Sequence, residues 1–292
     1  MTTSREMGEN MPKLTIDHVG LFTDNLDALA KRLEGLGLRL TPFTPQYNRG
    51  PDGEPAAAGT ANRLAVLSRG YLEFLTPIAD SPLASQMRER IDRYRGFHLI
   101  AFGSDNAQAD HERLKTGGFE PLPLVNLQRP VKIEGKPDAD TVARFSVVRV
   151  PPNAMSEGRI QICQHHTPEY VWCPPWSPQA NGWQSLSDIA ICVEDADKAA
   201  RRYAAFSGIE PRRTGDGSWL LMTGRGRIAI LNQTACRAVI NLPVPFVPCI
   251  PAIAVTCTGE PATIDLRPQA HGIIELIEPD GEPSWIKGGS KV

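Results

Sequence analysis

Two histidines lie in two similar apolar segments of this sequence and are the residues best suited to chemistry. His18 lies within residues 16–22, and His98 lies within residues 97–102. Each segment is followed by a Thr/Ser-Asp-Asn sequence that is typical of a helix start. A unit repeated within one chain can place the same side chain twice around one cavity. Because imidazole pairs suit divalent transition metals, the repeat predicts a shared metal site, and histidines with a purely structural role are the alternative.

The pattern around each histidine predicts a strand, a helix and three more strands. After the first strand, apolar residues at spacings of three and four form a helical stripe within residues 26–36, and residues 71–75 form the last strand of the unit. The helix starts of the two copies, Thr23 and Ser104, are 81 positions apart, whereas the histidines are 80 apart. We therefore expect one extra residue in the strand-to-helix turn of the second copy.

The pattern returns in the second half of the chain in a reduced form. A third unit begins near residue 185 with Ile189 in the place of the histidine, and a fourth unit has no recognisable helix. The sequence thus predicts a disordered N-terminus at 1–13, two paired units at 14–173, units three and four at 185–280 and a C-terminal tail at 281–292. Residues 121–140, rich in Pro, Gly and Lys, are predicted to form an extended loop that covers a pocket.

Composition limits the partners of the protein. The 292 residues carry a formal net charge of −2, which argues against binding to nucleic acid or to an anionic membrane surface. The sequence has no apolar stretch of about 18 residues that would span a membrane. None of the six cysteines forms a CxxC pair, so we expect buried free thiols and a cytoplasmic location. We expect a small-molecule partner, and a monomer or a homodimer.

A strand-helix-three-strand unit in tandem, with histidine on the first strand and a carboxylate or amide on the last, resembles the vicinal oxygen chelate superfamily. The segment 160–169 is similar to its glyoxalase-like domain branch. The resemblance implies an α+β fold in which tandem βαβββ units form open, cupped barrels. About four units are expected here, with the last one degenerate.

The resemblance also implies a set of metal ligands. His18 and His98 would come from the first strands, Glu73 from the last strand of unit one, and Gln161 from the matching strand of unit two, where the family more often has Glu. The implied cofactor is a divalent ion of Zn, Ni, Co, Mn or Fe. His165 lies on the same strand face as Gln161 and would replace or assist it, or His165 and His166 would only end the strand. By the same alternation, Asp17 is expected on the face opposite His18.

The candidate residues and the family resemblance are compatible with three functions. The first is a metal-dependent lyase or isomerase of the glyoxalase type, in which the ion stabilises an enolate-like intermediate and Glu73 moves the proton. The second is an Fe(II) dioxygenase of the extradiol type that uses His18, His98 and Glu73. The third is a metal-free small-molecule-binding protein similar to bleomycin-resistance proteins, with tryptophans and the 121–140 loop lining its pocket.

Overall fold

The computed structural model describes residues 14–49, 54–131, 141–240, 243–244 and 246–287. The expected disordered N-terminus, the 132–140 part of the expected loop and the last five residues of the C-terminal tail lie outside these ranges. Among the described residues, no helix is both long and apolar enough to cross a bilayer.

Two βαβββ units form the first half of the chain. Unit one consists of β1 (Thr15–Phe22), α1 (Leu26–Gly35), β2 (Thr44–Arg49), β3 (Pro55–Val66) and β4 (Tyr71–Pro77). After α2 (Pro82–Arg93), unit two consists of β5 (Gly96–Gly103), α3 (Ala107–Thr116), β6 (Val125–Pro130), β7 (Val142–Arg149) and β8 (Arg159–His165). Both helices begin after the Thr/Ser-Asp-Asn sequences, as predicted, and the side chains of Asn25 and Asn106 cap them; Thr23 or Asp24 was the expected cap of α1, and that expectation was wrong.

The second half contains one complete and one reduced unit. Unit three consists of β9 (Trp183–Val193), α4 (Ala196–Ser207), β10 (Arg212–Arg213), β11 (Trp219–Met222) and β12 (Arg227–Asn232), and α5 (Gln233–Val239) follows it. Unit four consists of β13 (Cys249–Cys257), β14 (Ala262–Asp265) and β15 (Ile273–Ile277), and α6 (Ser284–Lys287) follows. The predicted tandem architecture, with a degenerate last unit, is confirmed.

One sheet runs through both halves and is not closed. The first half has the strand order β2-β3-β4-β1-β5-β8-β7-β6, and the second has β10-β11-β12-β9-β13-β15-β14. The two parts meet where β13 pairs with β5 through Ile250 and Phe97. A single hydrophobic core contains residues from both halves, for example Ile16, Ile191 and Phe206, so burial couples the halves energetically.

The segment predicted as a loop contains a strand. Residues 125–130 form β6, which pairs antiparallel with β7 and carries Leu127 and Arg129 on the cavity wall. The loop interpretation was therefore wrong for these residues. Pro and Gly discouraged a strand prediction, yet β6 is the outermost strand of this half of the sheet, and an edge strand tolerates Pro at its end.

Candidate functional site

The curved sheet of the first half encloses a cavity of about 310 Å³. Strands from both units form its wall, and the edge strands β2 and β6 border it. The polar side chains on which the site depends are those of His18, Asn62, Glu73, Arg149, Arg159 and Gln161. Much of the remaining wall is apolar. The size and lining of the cavity are therefore suited to a small molecule.

His18 lies in the middle of β1 and is almost completely buried. Its ring stacks on the ring of Tyr71, with 4.3 Å between the centroids. Its Nδ1 is 2.6 Å from Asp17 Oδ2, and its Nε2 is 3.9 Å from Glu73 Oε2. The imidazole is thus fixed on one edge by Asp17 and presents its other nitrogen to the carboxylate of Glu73.

Asp17 reaches His18 because β1 is irregular at this point. The pairing of β1 with β5 shifts register between Ile16 and His18, and this β-bulge turns the Asp17 carboxylate towards the His18 ring. The expectation that Asp17 points away from His18 was therefore wrong. A bulge breaks the alternation of side chains on which that expectation depended.

The protonation of Asp17 decides which nitrogen of His18 is free. Burial by itself raises the pKa of Asp17, but hydrogen bonds from His165 and His18 hold it well below its ordinary value. An ionised carboxylate only accepts hydrogen bonds, so His18 Nδ1 and His165 Nε2, the latter at 3.0 Å, both donate to it. A neutral His18 therefore carries its lone pair on Nε2, the atom nearest Glu73.

Glu73 is oriented by side-chain amides on the neighbouring strands. Asn62 Nδ2 donates to Glu73 Oε1 at 2.7 Å, and Gln46 Nε2 donates to the same oxygen at 3.3 Å. Thr60 Oγ1 donates to Gln46 Oε1, which fixes the direction of that amide. Because Oε1 takes both hydrogen bonds, Oε2 remains for His18 and for a ligand in the cavity.

Gln161 occupies in unit two the place that Glu73 has in unit one. Glu73 pairs with Gly20 of β1, and Gln161 pairs with Ala101 of β5, the residue 81 positions after Gly20. Gln161 is buried, and its Oε1 has no hydrogen-bond partner among the described residues. An unpaired buried acceptor is costly, so this oxygen is available for a ligand.

The structure does not bring His98 together with His18. Strands β1 and β5 begin and end 81 positions apart, as do their helix caps, so no residue is gained in the turn. The residue equivalent to His18 is therefore Leu99, which lines the cavity. His98 lies at a second bulge between β1 and β5, outside the cavity wall.

His98 lies among aromatic side chains, and its Nδ1 is buried without a hydrogen-bond partner among the described residues. Its ring packs against those of Phe22 and Tyr94, and Nε2 is 2.7 Å from the carbonyl oxygen of Tyr94. Burial lowers the pKa of His98 to about 3 despite the hydrogen bond to Tyr94. The ring is therefore neutral at physiological pH.

The other two histidines of the predicted site differ in position. His165 is largely buried between the rings of Trp172 and Phe145 and donates to Asp17. His166 is exposed and lies 2.7 Å from the hydroxyl of Ser146, away from the cavity lining. His165 thus supports His18 through their common carboxylate, whereas His166 closes the end of β8.

A second group of possible ligands lies behind His18. Ligand atoms of Asp17, Cys163 and His165 are all within 4.8 Å of one another. Burial and the nearby carboxylates raise the pKa of the Cys163 thiol well above its ordinary value, and the Asp17 oxygen already accepts from two rings. This group is therefore less ready to bind a cation than the atoms that face the cavity.

Three atoms on the cavity wall are of the types that bind divalent cations. They are His18 Nε2, Glu73 Oε2 and Gln161 Oε1, which are all acceptors. Ligand atoms that each bind a metal at about 2.0–2.2 Å can be up to about 4 Å apart, and the first two atoms are 3.9 Å apart. The carboxylate of Asp17 behind His18 is the usual support of a metal-binding histidine.

Comparisons with solved structures show which proteins share this fold. A structure of a hypothetical protein from Staphylococcus aureus is 12% identical, covers 91% of this chain and 99% of its own, and superposes with a TM-score of 0.65. A variant of 4-hydroxymandelate synthase from Streptomyces coelicolor is 15% identical and has a TM-score of 0.51; the match covers 85% of this chain and 72% of the synthase chain. At these identities the likeness is one of fold. A search of curated proteins found no match.

The fold is that of the vicinal oxygen chelate superfamily, as the sequence predicted. Within it, the model of the glyoxalase-like domain matches residues 16–206, most of the chain. The protein therefore belongs to the glyoxalase-like domain family.

Several residues of the candidate site were not predicted from the sequence. Asp17 was visible as a charged residue in an apolar run, which is a signal for a buried partner. Arg149 and Arg159 carried no such signal, because each lies at a strand end where a solvent-facing arginine is common. Only the pairing of β7 and β8 with the rest of the sheet places both on the cavity wall.

Proposed function

We propose that this protein is a metal-dependent lyase or isomerase of the glyoxalase type that acts on a small oxygenated carbonyl substrate. One arrangement supports the proposal above all: three acceptor atoms, from His18, Glu73 and Gln161, line one cavity. These side chains would hold a divalent ion of Zn, Ni, Co, Mn or Fe. When bound, such an ion supplies Lewis acidity to a carbonyl oxygen.

The protein's own residues would do the proton chemistry. Asn62 and Gln46 hold Glu73 Oε1, so Oε2 would leave the ion, take a proton from the carbon next to the carbonyl and return it. His18 is held by Asp17 and stays fixed while Glu73 acts. Leu64 and Leu99 beside Glu73 keep water away from that carbon.

Metal analysis of the protein purified without chelators tests the proposal. We expect a stoichiometric amount of one divalent metal, which His18→Ala and Glu73→Gln lose. His111→Ala, which changes a half-buried histidine on α3 that does not line the cavity, is the matched control and keeps the metal. Wild-type protein without stoichiometric metal that takes up none on addition, or His18→Ala with full occupancy, contradicts the proposal.

A metal-free binding protein is the second candidate, and Leu99 favours it. Leucine stands in the place of the second histidine, so the cavity offers three ligands where the family pattern has four. Under this alternative, ligand affinity is the same in chelator-treated protein and in His18→Ala. The dioxygenase alternative required His98 beside His18 and Glu73, and the fold does not support that set.

Location and partners follow from the same chemistry. The six cysteines are all free and buried, which supports a reducing, cytoplasmic environment. A small molecule is the partner that suits the cavity. Size-exclusion chromatography with light scattering distinguishes the monomer from the homodimer.

A further inference from the structure

Two arginines on the cavity wall have no ion-pair partner among the described residues. Arg149 ends β7 and Arg159 begins β8, and both line the cavity. Neither forms an ion pair with any described residue, and the Nε of Arg149 is buried without a hydrogen-bond partner there. Guanidinium groups in such surroundings are normally paired, so their charge needs an explanation.

The register of the sheet places the arginines in line with the candidate metal ligands. Arg159 pairs with Leu99 of β5, and Arg149 pairs with Gln161 of β8. Side chains of directly paired residues lie on one face of a sheet, so the guanidinium groups share the cavity with His18 and Glu73. A ligand held by the arginines therefore also reaches Glu73.

The local field is strongly positive. Burial, followed by the charges of Arg149 and Arg90, lowers the pKa of Arg159 to about 9, and burial also lowers that of Arg149. Both remain protonated at neutral pH. Glu73 is the one carboxylate among the described residues that line the cavity, and Asn62 and Gln46 occupy one of its oxygens.

A cleft next to the cavity extends the positive surface. It has a volume of about 320 Å³ and is lined by Arg90 of α2 together with Arg149 and Arg159. The two unpaired arginines thus stand where the cleft and the cavity adjoin. The cleft and the cavity together therefore present three arginines to an anion.

We propose that the cavity binds a small organic oxyanion, whose carboxylate or phosphate oxygens are held by Arg149 and Arg159 while its hydrocarbon part packs on Leu64, Leu127 and Phe145. Planar guanidinium forks bind both oxyanions in a bidentate manner. This inference rests on the proposed function and deepens it, since it names the substrate class of the same cavity.

Calorimetric titration with matched probes tests the inference. Phenylacetate and phenyl phosphate carry the two oxyanions, and phenylacetamide is the neutral analogue of the first. We expect one or both anions to bind and the amide to bind at least about tenfold more weakly. Tighter binding of phenyl phosphate assigns the phosphate group, and tighter binding of phenylacetate assigns the carboxylate.

Variants show whether the arginines are responsible. Arg149→Gln and Arg159→Gln should each lower the affinity for the bound anion about tenfold or more. Arg144→Gln, which changes an exposed arginine on the strand of Arg149, should leave the affinity unchanged. Since the first two changes remove unpaired buried charge, we expect their melting temperatures without ligand to equal or exceed that of the wild type. Wild-type affinity in both variants, equal binding of the amide, or no binding of either anion at millimolar concentration overturns the inference.

Titration of chelator-treated protein separates this inference from the proposed function. If the metal is absent but the anions bind through the arginines, the proposed metal chemistry fails and the oxyanion site stands. If the metal is present and the anions do not bind, the oxyanion site fails and the metal proposal stands.

Discussion

The carboxylate of Asp17 should support both the stability and the metal site of this protein, and Asp17→Asn tests both. In the wild type, Oδ2 accepts hydrogen bonds from His18 at 2.6 Å and from His165 at 3.0 Å. Hydrogen bonds to a charged group contribute about 1.5–3 kcal/mol each. Asparagine can place its single acceptor oxygen where Oδ2 lies, but the negative charge that strengthens both hydrogen bonds is lost.

From this geometry we expect the free energy of unfolding to fall by about 3 kcal/mol at neutral pH. Urea unfolding followed by tryptophan fluorescence and circular dichroism measures the change. Asp24→Asn is the matched control, since Asp24 is exposed and its pair with Arg95 is worth at most about 1 kcal/mol. Asp17 is buried and Asp24 is not, so the difference between the unfolding free energies of the two variants measures the effect of burial.

Metal binding provides the second readout for Asp17→Asn. Loss of the carboxylate behind a metal-binding histidine typically lowers metal affinity by about 10–100-fold, whereas Asp24→Asn should leave it unchanged. The reasoning is refuted if the free energy of unfolding of Asp17→Asn is within about 0.5 kcal/mol of the wild-type value and the variant binds metal equally well. Asp17 would then neither stabilise the fold nor orient His18.

Three further outcomes are expected. Leu99→His places an imidazole at the position equivalent to His18 and should raise the affinity for Zn²⁺ in competition titrations; unchanged affinity would mean that position 99 cannot reach the ion. Because burial lowers the pKa of His98 to about 3 while an unfolded histidine titrates near 6.5, its contribution to stability is present above pH 6.5 and is lost as the pH falls, at about 1.4 kcal/mol per pH unit. NMR should then show a His98 ring that stays neutral from pH 8 to 5, and titration near pH 6.5 would contradict the burial argument. Since all six cysteines are buried, native protein should react slowly with a thiol reagent and urea-unfolded protein rapidly; fast reaction of the native protein would contradict this.

Much of the fold could be predicted because its signals are local. The helical stripe of α1, the Asn caps and the alternation in β1 each depend on neighbouring residues, and they define the repeated unit. Repetition then predicted the tandem architecture and the reduced fourth unit. The strand β6 was not predicted because it is stabilised by its pairing with β7, and its own residues do not indicate that pairing.

The candidate site was predicted in part, and the errors share one cause. His18 was predicted from the repeat, Glu73 and Gln161 were predicted from the family resemblance, and all three line one cavity. His98 was predicted from the same repeat, at a distance of 80 residues from His18. Equivalent residues of the two units are 81 positions apart in the structure, so Leu99 lies beside the cavity instead. A shift of one residue changes which side chain of a strand faces the interior.

The sequence by itself determined the repeated unit, its helix caps and the residue types available for chemistry, because these depend on contacts within a few positions. Tertiary structure alone decided which of those residues meet. The bulge that turns Asp17 to His18 and the pairing that brings Arg149 and Arg159 to the cavity wall are properties of register between distant strands. Register is fixed by burial over the whole sheet, so no single segment of the chain encodes it.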